Sequence, residues 1–426
     1  MVGKNIIYYG PPGTGKTFLL QNLRNNYTDF NISDNEIQNA YVNSSQDWVL
    51  IALILLQNNN LLSNTQIQNK IQQLNVSGFN QPPSSVLNAH SVSLVPPFTS
   101  TPPQIFGDEG GNWFVVLNKL LDFDPTFFDS YLTNGSIGKR FCFVTFHQSF
   151  TYEDFIEGIR PKIDIFNTTN GQQSGDIQYE IKDGLFKELC EEAKLHPTKE
   201  YAIFIDEINR GNISEIFGDL ISLVELDKRL GMPNELKVRL PYSKTEFGVP
   251  QNISIYGTMN SADRSIALID IALRRRFEFE PMTSDLNILE SVLREKGVNP
   301  KNINGIDLVK LLETINKRIQ LLLDENFVIG HAYFTPVTNF ESLKEIMIKK
   351  VIPLLEEYFF DDLEKVQLVL ADLDEDGELK DDALYKHEIL DVGDLLEYQG
   401  DFNLENKKKY FVTDSVTVDS LKKIYL

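Results

Sequence analysis

Cysteine is nearly absent, with only Cys142 and Cys190 in 426 residues. The two lie far apart, each in an apolar or amphipathic segment. Neither a disulfide framework nor a zinc site is expected, and a reducing cytoplasm is the natural setting. Long apolar runs are missing too. The most apolar stretch, Trp48 to Leu56, has nine residues, against about 20 needed to span a bilayer. Cationic charge is scarce: 40 Lys and Arg against 61 Asp and Glu leave a net charge of −21. That field repels phosphate. It excludes a generally basic nucleic-acid clamp and attachment to an anionic membrane surface, while allowing local basic patches. There is no internal repeat and no signal peptide, because Val2 to Tyr9 reads as a strand running into a glycine-rich loop.

What is present suits a multidomain globular chain. At roughly 150 residues per domain, two or three domains are expected. A composition of 42% hydrophobic and 24% charged residues is enough to bury sizeable cores.

The first motif is Gly10-Pro11-Pro12-Gly13-Thr14-Gly15-Lys16-Thr17. It matches the phosphate-binding pattern G-x-x-x-x-G-K-[ST]. An apolar strand, Asn5 to Tyr9, precedes it, and a helical pattern from Phe18 to Leu23 follows. Glycines let backbone N–H groups close around phosphate oxygens. Lys16 would reach the β- and γ-phosphates, and Thr17 would hold Mg²⁺. Hydrolysis needs more: a metal-holding acid and a group that prepares water. Tyr201-Ala-Ile-Phe-Ile-Asp-Glu207 offers both at the tip of a buried parallel strand. Asp206 suits the metal, and Glu207 suits the attacking water.

A third strand, Ile253 to Met259, leads into Asn260-Ser-Ala-Asp-Arg-Ser265. Asn260 can sense the γ-phosphate or position water, being neutral with both a donor and an acceptor. It can equally cap the next helix. Asp263 is a candidate for the phosphate end. It is not read as a guanine contact, because the lysine of the Asn/Thr-Lys-x-Asp element is missing. After a helical pattern from Ile266 to Leu273 come Arg274, Arg275 and Arg276. One of them could complete a neighbouring subunit's site as an arginine finger. The plainer reading is a basic cluster pairing with Asp270 or Glu278.

These elements, in this order, resemble an AAA+ motor. Several stretches resemble one branch of it, the McrB-type motors of modification-dependent restriction systems: Asp206-Glu-Ile-Asn-Arg210, Met259 to Ser265, Ala272 to Phe277, Thr145 to Pro161, and Ile329-Gly-His-Ala-Tyr-Phe334. The likeness covers roughly residues 1–24 and 140–370. Ser261 departs from the usual Thr but keeps a hydroxyl. The resemblance implies an α/β AAA+ P-loop NTPase with a parallel central sheet and a small α-helical lid. It also implies a homo-hexameric ring, GTP rather than ATP with Mg²⁺, and a separate McrC-like nuclease subunit acting on DNA, possibly modified. Such motors usually carry a DNA-reading domain ahead of the motor. With the phosphate loop at Gly10, none is expected here.

More than 100 residues separate the first helix from the strand at Phe141, where a βαβ unit needs about 30. Trp48–Leu56, Ser63–Leu74 and Ser84–His90 read as helices, and Ile105–Phe114 as a hairpin around Asp-Glu-Gly-Gly. Three helices and a hairpin suggest a winged-helix-like insertion over 45–122. Two lysines, no arginine and four acids there argue against phosphate contact. DNA contact and protein docking both stay open.

The NTPase core is placed at 1–27 and 140–281, the lid at 282–375, and an extension without functional reading at 376–426. Ile213 to Val224 reads as one helical face. Hairpins are expected at 162–180 and 236–250, the latter offering Lys237, Arg239 and Lys244 as weak DNA contacts. Within the lid, helices are expected at 287–296, 306–325 and 342–359. His331 either contacts nucleotide phosphate or a neighbour, or is a buried structural histidine. Two rival functions remain: a MoxR-like ATPase that remodels protein complexes, and a nucleotide-assembled scaffold. No nuclease constellation is visible in the chain.

Overall fold

The computed structural model describes residues 2–92, 101–133, 136–167, 173–263, 271–392, 405–413 and 415–426. Its centre is a sheet of β1 (Asn5–Gly10), β2 (Phe141–Thr145), β3 (Tyr201–Asp206), β4 (Ile253–Asn260) and β5 (Glu278–Pro281). The order is β5-β1-β4-β3-β2, with every neighbouring pair parallel. Continuous apolar runs such as Tyr201 to Ile205 are what a parallel sheet covered on both faces requires. In parallel strands all the C-terminal tips share one edge. Gly10, Asp206 and Asn260 therefore come together there, with Gly10 in register with Asn260.

Helix α1 (Lys16–Leu23) follows the phosphate loop and packs Leu20 into the sheet. The insertion then leaves and returns through a short antiparallel pair, Thr28–Phe30 with Ile137–Lys139. Its core is wider than 45–122, because Ile32, Ile37, Ala40 and Phe127 join Trp48–Leu56 in one apolar cluster. A further helix, Asp34–Ser44, precedes the expected three, which span Asp47–Gln57, Asn64–Leu74 and Pro83–Ala89. Three short strands order as 62–63, 112–115, 106–109.

Ile213 to Val224 is not one helix. An α-turn over Ile213–Phe217 gives way at Gly218, where φ is +50°, to a 3₁₀ segment. The hairpin expected at 162–180 is longer, with 157–167 paired to 173–183. A second hairpin pairs Val238–Arg239 with Glu246–Phe247. Glu157, fully buried, joins the base of the first hairpin to the turn of the second. It accepts the Tyr242 and Ser243 backbone N–H groups and pairs with Lys187 at 2.8 Å.

Beyond β5 the chain is helical, at Leu286–Glu295, Leu308–Leu322, Phe340–Ile346 and Ile352–Tyr358. The stretch 342–359 is not a continuous α-helix. A π-turn at Met347–Val351 precedes Pro353, whose missing N–H cannot serve the preceding turn. The described residues within 376–426 do not stand apart from the lid. Leu384, Tyr385, Val416, Leu421 and Ile424 belong to the same core as Leu311 and Ile315. Buried Asp372 fastens this region by accepting the Leu384 and Tyr385 backbone N–H groups and pairing with Lys423 at 2.8 Å. Among the described residues, no helix is long and apolar enough to cross a membrane.

Candidate active site

At the sheet's C-terminal edge, the phosphate loop and the acid pair of β3 face each other. Gly13 and Gly15 have φ of +76° and +86°, the left-handed region that glycine enters without a Cβ clash. Lys16 is folded into the loop, its Nζ donating to the Gly10 carbonyl at 2.8 Å and the Pro11 carbonyl at 2.6 Å. Burial pulls its ammonium down to about 8, opposed by the nearby Glu207 and Asp206 carboxylates. Thr14 donates to the Pro11 carbonyl at 3.0 Å. Thr17 Oγ1 lies 3.1 Å from both Asp206 oxygens. A hydroxyl and a carboxylate meeting at one point form the hard-oxygen pair that Mg²⁺ favours, and its remaining positions would be filled by water and phosphate. The donor set therefore fits the expected cation.

Thr258 is a site residue that sequence reasoning missed. Its hydroxyl donates to Asp206 Oδ1 and accepts the Glu207 backbone N–H at 3.0 Å. The available signal was a hydroxyl two residues before Asn260 and so on the same face of the strand. Glu207 has φ 52° and ψ 47°, a left-handed conformation costing about 1 kcal/mol for a residue with a Cβ. The Thr258 bond holds it there. Burial raises the Glu207 carboxyl above its ordinary value, against the pull of Arg210. Its Oε2 lies 3.4 Å from Arg210 Nε but is buried without a hydrogen-bond partner. An unsatisfied, partly desolvated carboxylate beside a phosphate loop is suited to accepting a proton.

Asn260 reaches this edge, yet its Oδ1 accepts the Ala262 backbone N–H at 3.2 Å. The turn-capping contact is therefore present, and the amide Nδ2 is the group left to meet a ligand. Asp263 lies 3.9 Å from Arg210 Nη2. Asn260, Asp263, Arg210, Pro12, Tyr333 and Glu357 line a cavity of about 490 Å³ between loop and lid. A larger cavity of about 720 Å³, around Asp29 and Arg140 at the foot of the insertion, is away from this chemistry. Arg264, Ser265 and Asp270 lie outside the described residues.

The three arginines part company. Arg276 is buried and pairs with Glu225 at 2.9 Å, its backbone carbonyl accepting from Asn5. It cannot face a neighbour, which corrects its place among the candidates. Arg275 is exposed and only loosely paired with Glu225 at 3.5 Å. Arg274 lies over the Phe279 ring at 5.7 Å. All three precede β5, whose Glu278 is in register with Ile6. Ile6 stands four residues, roughly 13 Å, from Gly10. The triplet is thus at the opposite end of the sheet from its own phosphate loop.

The lid touches that loop directly. Gly330 and Ala332 donate backbone N–H groups to the Pro12 and Gly13 carbonyls at 3.1 and 2.9 Å. Asn316 holds the preceding residue, Ile329, through both its N–H and its carbonyl.

Comparison with known proteins agrees with this geometry. The family model for the McrB alpha-helical lid domain matches residues 307–367. The chain contains an McrB-type AAA+ motor. A model for the dynein-related AAA domain matches residues 130–277. That match begins in the last residues of the insertion and so leaves out the phosphate loop, which the sheet returns to the acid strand. The chain is 39% identical over 252 residues to the EcoKMcrB subunit of a type IV methyl-directed restriction enzyme of Escherichia coli. That alignment covers 55% of this chain and 50% of the relative. It is 25% identical over 228 residues to the YdiS component of the type II restriction enzyme BsuMI of Bacillus subtilis, covering 45% and 62% respectively. The chain thus spans about half to three-fifths of these curated relatives. One solved structure, from Cytophaga hutchinsonii, overlaps 42% of this chain and 50% of that one, at 16% identity and a TM-score of 0.21, and carries no argument.

Proposed function

We propose that this chain hydrolyses a nucleoside triphosphate, GTP in preference to ATP, as a ring-forming motor that drives a separate nuclease subunit of a restriction system. The observation that carries the reading is the meeting of Thr17 and Asp206 at 3.1 Å, with Glu207 held beside them by Thr258. Lys16 and the loop amides bind the phosphates. Thr17 and Asp206 would hold Mg²⁺, which neutralises charge developing on the phosphoryl oxygens. Glu207 takes the proton of the attacking water, and the Asn260 amide orients that water or the γ-phosphate. Arg275, too far from its own loop, serves the next subunit of a ring, of which a homo-hexamer is the expected form. GTP preference, the McrC-like partner and DNA as the final target rest on the McrB likeness.

For the insertion we propose a winged-helix-like module that docks protein. Its helix–strand–helix–helix–strand–strand order and central third strand support the shape. Both lysines of 45–122 are already engaged, Lys70 with Asp34 at 2.8 Å and Lys119 with Glu295 at 2.7 Å. Phosphate contacts would have to displace those pairs.

The test is steady-state hydrolysis of GTP and of ATP by the purified chain, with the size-exclusion mass in each nucleotide. GTP turnover with a rise to about six subunits is expected. Turnover of ATP alone would move the reading to a MoxR-like remodelling ATPase. Two substitutions separate the arginines. Arg275→Ala is expected to lower turnover about tenfold, Arg274 taking part of the charge, with melting temperature unchanged. Arg276→Ala is expected to cost about 2 kcal/mol of stability, because it empties a buried site and removes one of the three cations around Glu225, leaving Lys228 and Arg275. Equal effects on urea midpoint and turnover from both would refute the division.

A further inference from the structure

We propose that His331, on the lid, donates its Nε2–H to a phosphate oxygen of the bound nucleotide, and so is a direct ligand that ties lid position to occupancy. The inference rests on the reading of residues 10–17 as the phosphate site and adds a contact that the loop motifs do not contain.

Three observations converge. The ring is buried, at 5% exposure. Its Nδ1 accepts the Asp285 backbone N–H at 3.1 Å. A backbone amide can only donate, so the neutral ring must carry its proton on Nε2. Nε2 points at the phosphate loop, 3.9 Å from where a Cβ on Gly15 would stand, and among the described residues it has no protein hydrogen-bond partner. Gly15 is the N-cap of α1, whose first N–H groups and positive dipole end attract anions. A donor on a buried ring, aimed at a helix N-terminus, meets no acceptor among the described residues, and a phosphate oxygen would supply one.

The surroundings keep the ring neutral and in place. Burial lowers its basicity, while Asp285 opposes that weakly. On both sides the chain is fixed, by the Gly330 and Ala332 bonds to the loop. The ring therefore cannot swing away without the lid leaving the loop.

Two substitutions divide the ring's two nitrogens. In His331→Asn the side-chain oxygen can still accept from Asp285 but the donor toward Gly15 is gone. In His331→Gln the amide N–H reaches toward the Nε2 position, while the Nδ1 acceptor is lost. The probes are mant-GDP with Mg²⁺ and mant-guanosine, titrated by fluorescence against wild type, both variants and Lys16→Ala. The expected result is about tenfold weaker mant-GDP binding in His331→Asn, recovery to within about threefold in His331→Gln, and unchanged mant-guanosine binding in both. The reverse order, with Asn like wild type and Gln weak, would assign His331 a purely structural role and overturn the proposal. So would wild-type affinity in both. If wild type bound neither mant-GDP nor mant-ADP better than Lys16→Ala does, the phosphate-site reading would fail, not this contact alone.

Discussion

Glu207→Gln is expected to lower steady-state hydrolysis about a thousandfold while nucleotide affinity stays near wild type. The substitution keeps size and hydrogen-bonding capacity but removes the ability to take a proton. The phosphate-binding set makes no hydrogen bond to Glu207, and Asp206 remains beside Lys16 to favour its charged form when the Glu207 charge is removed. Lys16 bonds to loop carbonyls and Thr17 to Asp206, and neither donates to Glu207. The left-handed backbone at Glu207 is held by Thr258 through a main-chain bond, which Gln retains. Arg210 loses an ion pair, but it is half exposed, so stability should change by less than about 1 kcal/mol. Single-turnover and steady-state assays with radiolabelled nucleotide, together with a binding titration, would check the split. Near-normal turnover would remove Glu207 from the proton-accepting role. A parallel loss of binding would instead mean that the loop had been disturbed.

Gly330→Ala is expected to weaken nucleotide binding between about ten- and a hundredfold without unfolding the chain. A Cβ at Gly330 would stand 2.0 Å from the Gly13 carbonyl carbon and 2.5 Å from the Thr14 nitrogen. These are backbone atoms of the phosphate loop, so they cannot turn aside as a flexible side chain would. The φ of Gly330 is −70°, which alanine adopts freely. The penalty is therefore steric, and it falls on the joint between lid and loop. Either the lid lifts, breaking the Pro12 and Gly13 contacts, or the loop opens and spoils its phosphate cradle. The lid core around Leu311 and Ile315 is untouched, and replacing glycine restricts the unfolded chain. The melting temperature should hardly move. A titration with mant-GDP, accompanied by small-angle scattering of the nucleotide-free chain, would measure both effects. Unchanged affinity would show that the lid contact has no part in nucleotide binding.

Some of this was written in contiguous residues. The loop from Gly10 to Thr17 and the strand ending in Asp206-Glu207 can be read because their chemistry depends on neighbours in sequence. A phosphate cradle is successive backbone N–H groups, and a buried parallel strand is an unbroken apolar run. The long apolar helix Asp47–Gln57 was legible for the same reason. Medium-range breaks were harder. Ile213 to Val224 carries helical spacing, but Gly218 interrupts it. The apparent boundary at residue 376 disappeared because burial of Asp372 against Leu384, Tyr385 and Lys423 is a long-range event.

The sequence by itself determined the phosphate loop, the acid pair, the helical lid and the presence of an insertion. Each follows from local periodicity or from a short pattern of residue types. Tertiary structure alone decided that Thr258 holds the acid pair, that Arg276 is core while Arg275 is exposed, and that Gly330 and His331 lie on the loop. Those roles come from the order in which parallel strands assemble and from how the lid folds back. A strand order of β5-β1-β4-β3-β2 sets residues hundreds of positions apart side by side. No local pattern records such a neighbour, because the free energy that selects it is spread over the whole buried sheet and lid core.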